Sequence, residues 1–377
     1  MRILLSAYAC EPNQGTEKGF GWNWAINLAR VGHEVWVLTR PEGRREIEEL
    51  AAVSGTPYTL SILKRNGVWG IIAQILRQVK LDWQYLYLVW QLRALGTAQK
   101  LDREIDFDIV HHVSWGSIIA GSWLWLLDKP FVLGPVGGGQ IAPVALKQYF
   151  GHRWRHEAIR SLCSSSLARF NLVARQSVSQ ADLVLATNRD TLDLAQELGA
   201  KRVKLYLDSG LPPEFFADQL PTKKPGEHLR LLWVGSSEIR KGLRLTLESI
   251  AAVDVAISWA LTIVGVHAQD VVLRQLIAEL NLGDKVNCLG RVSWERVKAE
   301  YASHDVFYFT SLRDSFGSQL LEAMAWGLPL ITLDHHGARD FVPQDAGIKV
   351  PIADAAGTVA ALARAIEYLY HNPRERQ

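Results

Sequence analysis

Short runs rich in Val, Ile and Leu, uncharged but for Arg230 and Lys349, recur along almost the whole sequence, separated by longer stretches of helical character. In the first half they fall at residues 3–8, 35–39, 59–63, 109–113, 131–136, 183–187 and 205–207. The pattern restarts at 229–235, 260–266, 286–290, 306–310, 328–333 and 348–350. A strand without charges is buried on both faces, so this order predicts parallel sheets covered by helices. The fold class is α/β, with two doubly wound Rossmann-like domains. Residues 209–227 hold Pro212, Pro213, Pro221, Pro225 and Gly226 and separate the two sets of strands. The boundary is placed there, giving domains 1–210 and 211–377.

With 48% hydrophobic and 21% charged residues, the composition excludes disordered and collagen-like chains. Charge divides the halves: residues 1–210 carry 24 Lys+Arg against 19 Asp+Glu, and residues 211–377 carry 17 against 20. Cys10, Cys163 and Cys288 are odd in number, scattered and free of any CxxC, so neither a disulfide framework nor a zinc site is indicated. A reducing cytoplasm is expected. The apolar run at 1–8 is too short for a signal peptide. The uncharged stretch 109–127 contains His111, His112 and several Ser and Gly, and reads as strand, turn and helix rather than a membrane span.

In doubly wound folds ligands sit at the carboxyl ends of the strands, and two such domains make a cleft. The strongest signal there is SLRDSFGSQLLEAMAWGLP at 311–329. A strand ends near Ser311, a helix opens near residues 315–317, and Gly327-Leu328-Pro329 stops it. The amides of Ser315, Phe316, Gly317, Ser318 and Gln319 then lie at a positive helix end, which suits an anion such as a diphosphate. Glu322, about two turns into the helix, is placed to accept hydrogen bonds from ribose hydroxyls. The structural reading of the same residues makes Asp314 or Ser315 an N-cap and Glu322 a solvated helix residue. Lys241, six residues after Gly235 and next to Arg240, sits at a strand-to-helix turn, where a lysine is either a phosphate partner or a solvated helix start.

Asp314-x7-Glu322 resembles the E-x7-E segment of family 4 glycosyltransferases, which have the two-domain GT-B fold. The resemblance extends over most of the chain, through LLWVGSSEIRKGL (231–243), LTIVG (261–265), CLGRV (288–292) and HHGARDFV (335–342). It implies transfer of a sugar, with retention, from a nucleotide-diphosphate sugar to a glycan or lipid-linked acceptor. By position it gives Glu322 the ribose, Asp314 the donor sugar and Lys241, helped by Arg240, the donor diphosphate. The sequence departs from the family with Asp314 where Glu is usual and Ser236 where an Arg is usual. A nucleotide-sugar isomerase of the same fold, and a catalytically inactive relative that only binds, remain alternative readings. The resemblance also implies helices that follow the last one, at 358–370, and return to the first domain; the sequence ends short of them.

In the first domain a glycine loop with Asn13, Gly15, Glu17, Gly19 and Gly21 follows the first strand, and the resemblance makes Gly19 and Gly21 substrate contacts. His111 and His112 lie on one strand with alternating faces, so they form no metal chelate. The cleft histidine common in the family is absent from FVLGPVGGGQ at 131–140. That leaves His112 as a candidate proton donor or acceptor and Gly137 and Gly138 as a close-approach loop. Asp106-Phe107-Asp108 precedes its strand, at the wrong end for a cleft, and reads as solvated. No metal or other cofactor is expected, because cations and helix amides suffice to stabilise a leaving diphosphate. Aromatic and aliphatic residues between 68 and 95, with Arg77, Lys80 and Arg93, read equally as core or as an interfacial surface. Segment 147–175 adds six basic residues against the single acid Glu157. Together they suggest a peripheral enzyme docked on anionic lipid at the inner face of the plasma membrane, where a polyprenyl-linked acceptor enters. No nucleic-acid recognition motif is present.

Overall fold

The computed structural model describes residues 1–12, 17–40, 44–54, 58–62, 82–165, 167–212, 215–216, 219–220 and 228–376, and side chains throughout these except at 17–18, 50–54, 58–62 and 82–86. Each strand-like run forms a strand, with ends displaced by no more than two residues. In the first unit these are β1 (Arg2–Ala7), β2 (Glu34–Thr39), β3 (Tyr58–Ile62), β4 (Ile109–Ser114), β5 (Phe131–Val136), β6 (Leu183–Ala186) and β7 (Val203–Leu205). In the second they are β8 (Leu229–Val234), β9 (Trp259–Val264), β10 (Val286–Gly290), β11 (Val306–Phe309), β12 (Leu330–Leu333) and β13 (Gly347–Val350). The sheets run β3-β2-β1-β4-β5-β6-β7 and β10-β9-β8-β11-β12-β13. Each pair of neighbouring strands is parallel, for example β1 with β4 and β8 with β11. Each sheet reverses its winding once, between β1 and β4 and between β8 and β11. Those reversals are where a doubly wound sheet opens for a ligand.

The cores follow from the uncharged strands. Leu4, Val110, Leu133 and Val184 are fully buried in the first unit, and Leu231, Leu261, Tyr308 and Ile331 in the second. Helices complete the layers by period and cap. Helix α12 (Ala355–His371), for instance, buries Thr358, Leu362, Ala365, Ile366 and Leu369, and the Asp354 side chain accepts from Gly357 N at 2.7 Å. No described helix is long and apolar enough to cross a membrane.

The division of the chain differs from the sequence expectation in one respect. The break near 209–210 is present, but residues 140–162 belong with the second unit, and the first unit comprises 1–139 and 163–209. The cause is apolar burial. Ala142, Leu146, Tyr149 and Phe150 enter the core that surrounds β8–β13, Trp154 packs against it, and Tyr149 OH donates to Glu248 Oε2 at 2.9 Å. Truncating Phe150 therefore removes contacts from the second core although it lies between two strands of the first sheet. Phe150→Ala should destabilise the protein by about 3–5 kcal/mol. Hydrogen exchange should show the loss of protection in β8–β13 and leave β1, β4 and β5 unchanged.

Candidate active site

The reversal between β8 and β11 gathers the candidate residues of the second unit. After β8 the chain passes Gly235, makes a 3-10 turn at Ile239–Lys241, and enters helix α7 (Leu243–Ala251) through Gly242. Gly242 has φ +70°, and a Cβ there would lie 2.0 Å from Thr310 O, so only glycine lets this turn rest on the end of β11. The backbone ties the two segments further: Leu312 N donates to Arg240 O at 2.7 Å, and Ser311 Oγ to the same oxygen at 3.1 Å.

These constraints bring Lys241 and Asp314 together. The buried Lys241 ammonium donates to Asp314 Oδ2, Arg240 Nη1 lies 3.3 Å from the same oxygen, and Ser311 Oγ approaches it at 3.4 Å. Burial alone pushes the Asp314 carboxyl up, but the charges of Lys241 and Arg240 and the Lys241 hydrogen bond outweigh it and hold the carboxyl below its ordinary value. Arg240 also pairs with Glu238 at 2.6 Å.

The helix that follows, α10 (Ser318–Ala325), opens later than its sequence indicates. Gly317 occupies the N-cap position at φ +98° with no side-chain cap, and a Cβ there would meet Phe309 Cζ at 2.6 Å. A left-handed residue ends the loop rather than beginning the helix. Ser315 and Phe316 therefore lie in the loop, which corrects their assignment to the helix terminus, and the positive end belongs to Ser318 and Gln319. Phe316 is buried, its ring 5.8 Å from that of Phe341. The Gln319 side-chain oxygen is buried with no hydrogen-bond partner.

Glu322 is not a solvated helix residue. It accepts from Tyr301 OH at 2.8 Å, and Tyr301, on α9 (Trp294–Ser303), is wholly buried. Burial pushes the Glu322 carboxyl above its ordinary value, and the Tyr301 hydroxyl opposes that shift. Three supports of the site loop have weaker sequence signals. His335 Nε2 donates to Ser311 O at 2.8 Å, Gly337 packs so closely that a Cβ would lie 2.1 Å from Ser315 O, and Arg313 Nε lies 2.8 Å from Glu157 Oε1. Glu157, on α4 (Trp154–Ser164), also holds Arg160 at 2.7 Å. The one visible hint was a lone acid in a basic stretch.

The first-unit candidates fare differently. His112 is 1% exposed, with Nδ1 3.0 Å from Ser6 Oγ and Nε2 3.0 Å from Tyr87 OH. Burial, then the neighbouring His111, pushes its pKa down to about 3, so it is a neutral core histidine and not an accessible proton carrier. His111 is bonded through Nε2 to Gly134 O at 2.7 Å, and burial lowers its pKa to about 4. Gly21 has a packing reason: a Cβ would lie 2.3 Å from Ala9 O. Gly19 is buried on α1 (Glu17–Arg30). Gly137 exchanges backbone bonds with the segment 116–118, and Gly138 has φ +113°. Asn13 and Gly15 lie outside the described residues, as do the side chain of Glu17 and residues 68–80 of the aromatic run. Asp106 bonds Lys129, and Asp108 accepts from Arg2 N at 2.6 Å. Among the described residues no three His, Cys, Asp or Glu side chains gather as metal ligands would.

Two doubly wound units, one with a cation pair and a helix terminus at its winding reversal, define a GT-B architecture. A model of the "Glycosyl transferase 4-like domain" matches residues 22–207, and one of "Glycosyl transferases group 1" matches 216–377. The chain belongs to the family 4 glycosyltransferases of GT-B fold. A putative colanic acid biosynthesis glycosyltransferase of Escherichia coli is 28% identical over 50% of this chain and 48% of its own. A GDP-mannose:cellobiosyl-diphosphopolyprenol alpha-mannosyltransferase of Xanthomonas oryzae is 28% identical over 55% of this chain and 50% of its own. These matches span about half the length of those relatives. The fold is also that of the HepE protein of Anabaena, solved in complex with UDP, with a TM-score of 0.62, 16% identity, and coverage of 99% of this chain and 91% of that one.

Removing the Asp314 charge would strand Lys241, a mostly buried cation. Asp314→Asn should cost about 3 kcal/mol at neutral pH in denaturant unfolding. Because folding lowers its pKa, Asp314 stabilises the protein above its ordinary value of 3.8, and that contribution fades as pH falls through the lowered value. The gap between the two proteins should therefore close in acid.

Proposed function

We propose that the protein transfers a hexosyl unit, with anomeric retention, from a nucleotide-diphosphate sugar to a glycan or polyprenyl-linked acceptor. The observation that carries this reading is Glu322, desolvated and oriented by Tyr301 on the same helix whose positive end follows the Lys241–Asp314 pair. Glu322 holds the ribose hydroxyls, and Lys241, Arg240 and the amides of Gly317, Ser318 and Gln319 hold the diphosphate. Asp314 orients the sugar. In the transfer the bond from the anomeric carbon to the diphosphate breaks and its electron pair leaves with the phosphate oxygen. The acceptor oxygen bonds that carbon, and its proton passes to the departing phosphate oxygen. Charge develops on the departing diphosphate, where fixed cations and amides act most strongly.

The relatives support the two substrate classes: HepE is complexed with UDP, and the Xanthomonas enzyme is named for a GDP-mannose donor and a diphosphopolyprenol acceptor. The second unit takes the donor, and the acceptor is recognised by the first, where Gly19, Gly21, Gly137 and Gly138 are the contacts to test. We assign the enzyme to the cytoplasm, at an anionic membrane surface, with no resident cofactor and no nucleic-acid partner. An isomerase would need accessible acids and bases, and His112, the candidate for that work, is buried with both nitrogens engaged.

Thermal unfolding with UDP, GDP, ADP, CDP and dTDP tests the donor site without knowledge of the acceptor. One nucleotide should raise the melting temperature, with about 2.7 kcal/mol of stabilisation at about 100 times its Kd. Glu322→Gln removes a carboxyl whose ionisation is opposed by burial, so the variant should melt no lower at neutral pH yet lose the nucleotide shift. Lys241→Ala should lose it also. No shift with any nucleotide, or a shift unchanged in both variants, would overturn the reading. A shift without donor hydrolysis would mark an inactive relative.

A further inference from the structure

We propose that Gln319 determines donor specificity: its side-chain carbonyl accepts a hydrogen bond from one hydroxyl of the nucleotide's ribose while Glu322 accepts from the other. The inference deepens the donor reading and rests on it. Its starting point is Gln319 Oε1, which is buried and has no hydrogen-bond partner. A buried carbonyl without a donor carries its full desolvation cost, so an orphan of this kind beside a binding site marks a place where a ligand supplies the donor.

The helix narrows which ligand group that is. Leu320 and Ala323 turn one face of α10 into the core. Gln319 and Glu322, three residues apart, share a different face, and both are half-buried. The Glu322 carboxylate is already engaged at Oε2 by the Tyr301 hydroxyl. Tyr301 is itself pinned, wholly buried with its ring 5.6 Å from that of Phe307 and 6.2 Å from that of Phe215. Glu322 Oε1 and Gln319 Oε1 are then the two acceptors that this face offers to a ligand. The ionised diphosphate of a nucleotide sugar cannot satisfy them, since it brings acceptors alone. The ribose brings two hydroxyl donors on neighbouring carbons, next to the phosphate that the Gln319 backbone amide faces at the positive end of α10. One residue thus spans the junction of phosphate and ribose.

A deoxyribose leaves one of the two acceptors desolvated and unpaired, and a site that hydrogen-bonds a hydroxyl discriminates against the analogue without it. The donor class is therefore a ribonucleoside-diphosphate sugar and not a 2′-deoxy one. Isothermal titration calorimetry with UDP, GDP, ADP and CDP, each beside its 2′-deoxy and 3′-deoxy analogue, tests this. The nucleotide that binds should bind about tenfold more tightly than either analogue. Gln319→Leu should bring one of the two ratios to about one and leave the other, which Glu322 carries. Gln319→Glu keeps an acceptor in place and should keep both ratios, although the added charge beside the diphosphate weakens binding overall. Without nucleotide, Gln319→Leu should melt no lower than the wild type, because the carbonyl it removes has no partner. Both ratios unchanged in Gln319→Leu, or a lower melting temperature of that variant without ligand, would overturn the proposal, and nucleotide binding lost in Glu322→Gln would still uphold the donor site. Binding of no nucleotide by the wild-type protein would overturn the donor site and the role of Gln319 with it.

Discussion

The ion pair between Lys241 and Asp314 is the contact on which the second unit's ligand-facing end depends. Two largely buried charges cost several kcal/mol each to desolvate, and only close geometry with further hydrogen bonds offsets that cost. The backbone is fixed accordingly. Gly242 lies against Thr310, Leu312 N donates to Arg240 O, and Thr246 and Thr310 share a hydroxyl contact at 2.5 Å. Every one of these contacts joins the turn and helix that follow β8 to the end of β11, beside the place where the sheet reverses its winding. The topology opens the site, and the ion pair gives it one shape before any ligand arrives.

Much of this was legible in the sequence because it rests on local pattern. A run of three to seven residues rich in Val, Ile and Leu and nearly free of charge is a buried strand in this composition, and each of the thirteen such runs forms one. Lys241, Asp314 and Glu322 were legible too, since their spacing from strand ends fixes where they emerge. The start of α10 was not. Ser315-Phe316-Gly317 has the chemistry of a helix opening, and the decision was made by Phe309, whose ring under Gly317 holds a left-handed conformation. The surroundings of Glu322 were likewise half visible. Helical spacing placed it on the correct element, but whether it faced water or a buried hydroxyl depended on Tyr301, 21 residues away.

His112 shows the same limit from the other side. Strand alternation correctly separated it from His111, yet nothing local says that Tyr87, from a helix 25 residues earlier, will close over its outer nitrogen. A histidine at a strand end is a proton carrier or a core residue according to a contact made at long range. Burial decided the case here by removing the charged form.

The segment 140–162 was unreadable for a related reason. Leu146, Tyr149 and Phe150 announce a face to be buried, but hydrophobic periodicity does not name the core that will bury it. Its true placement changes the charge argument. Four basic residues and one acid move with it, so the units carry 20 Lys+Arg against 18 Asp+Glu and 21 against 21. The asymmetry between halves of the sequence is then not a property of two domains. It collects in the run from Lys129 to Arg175, where the one acid is turned inward to Arg160 and Arg313. A single buried carboxylate thus steadies the arginine beside Asp314.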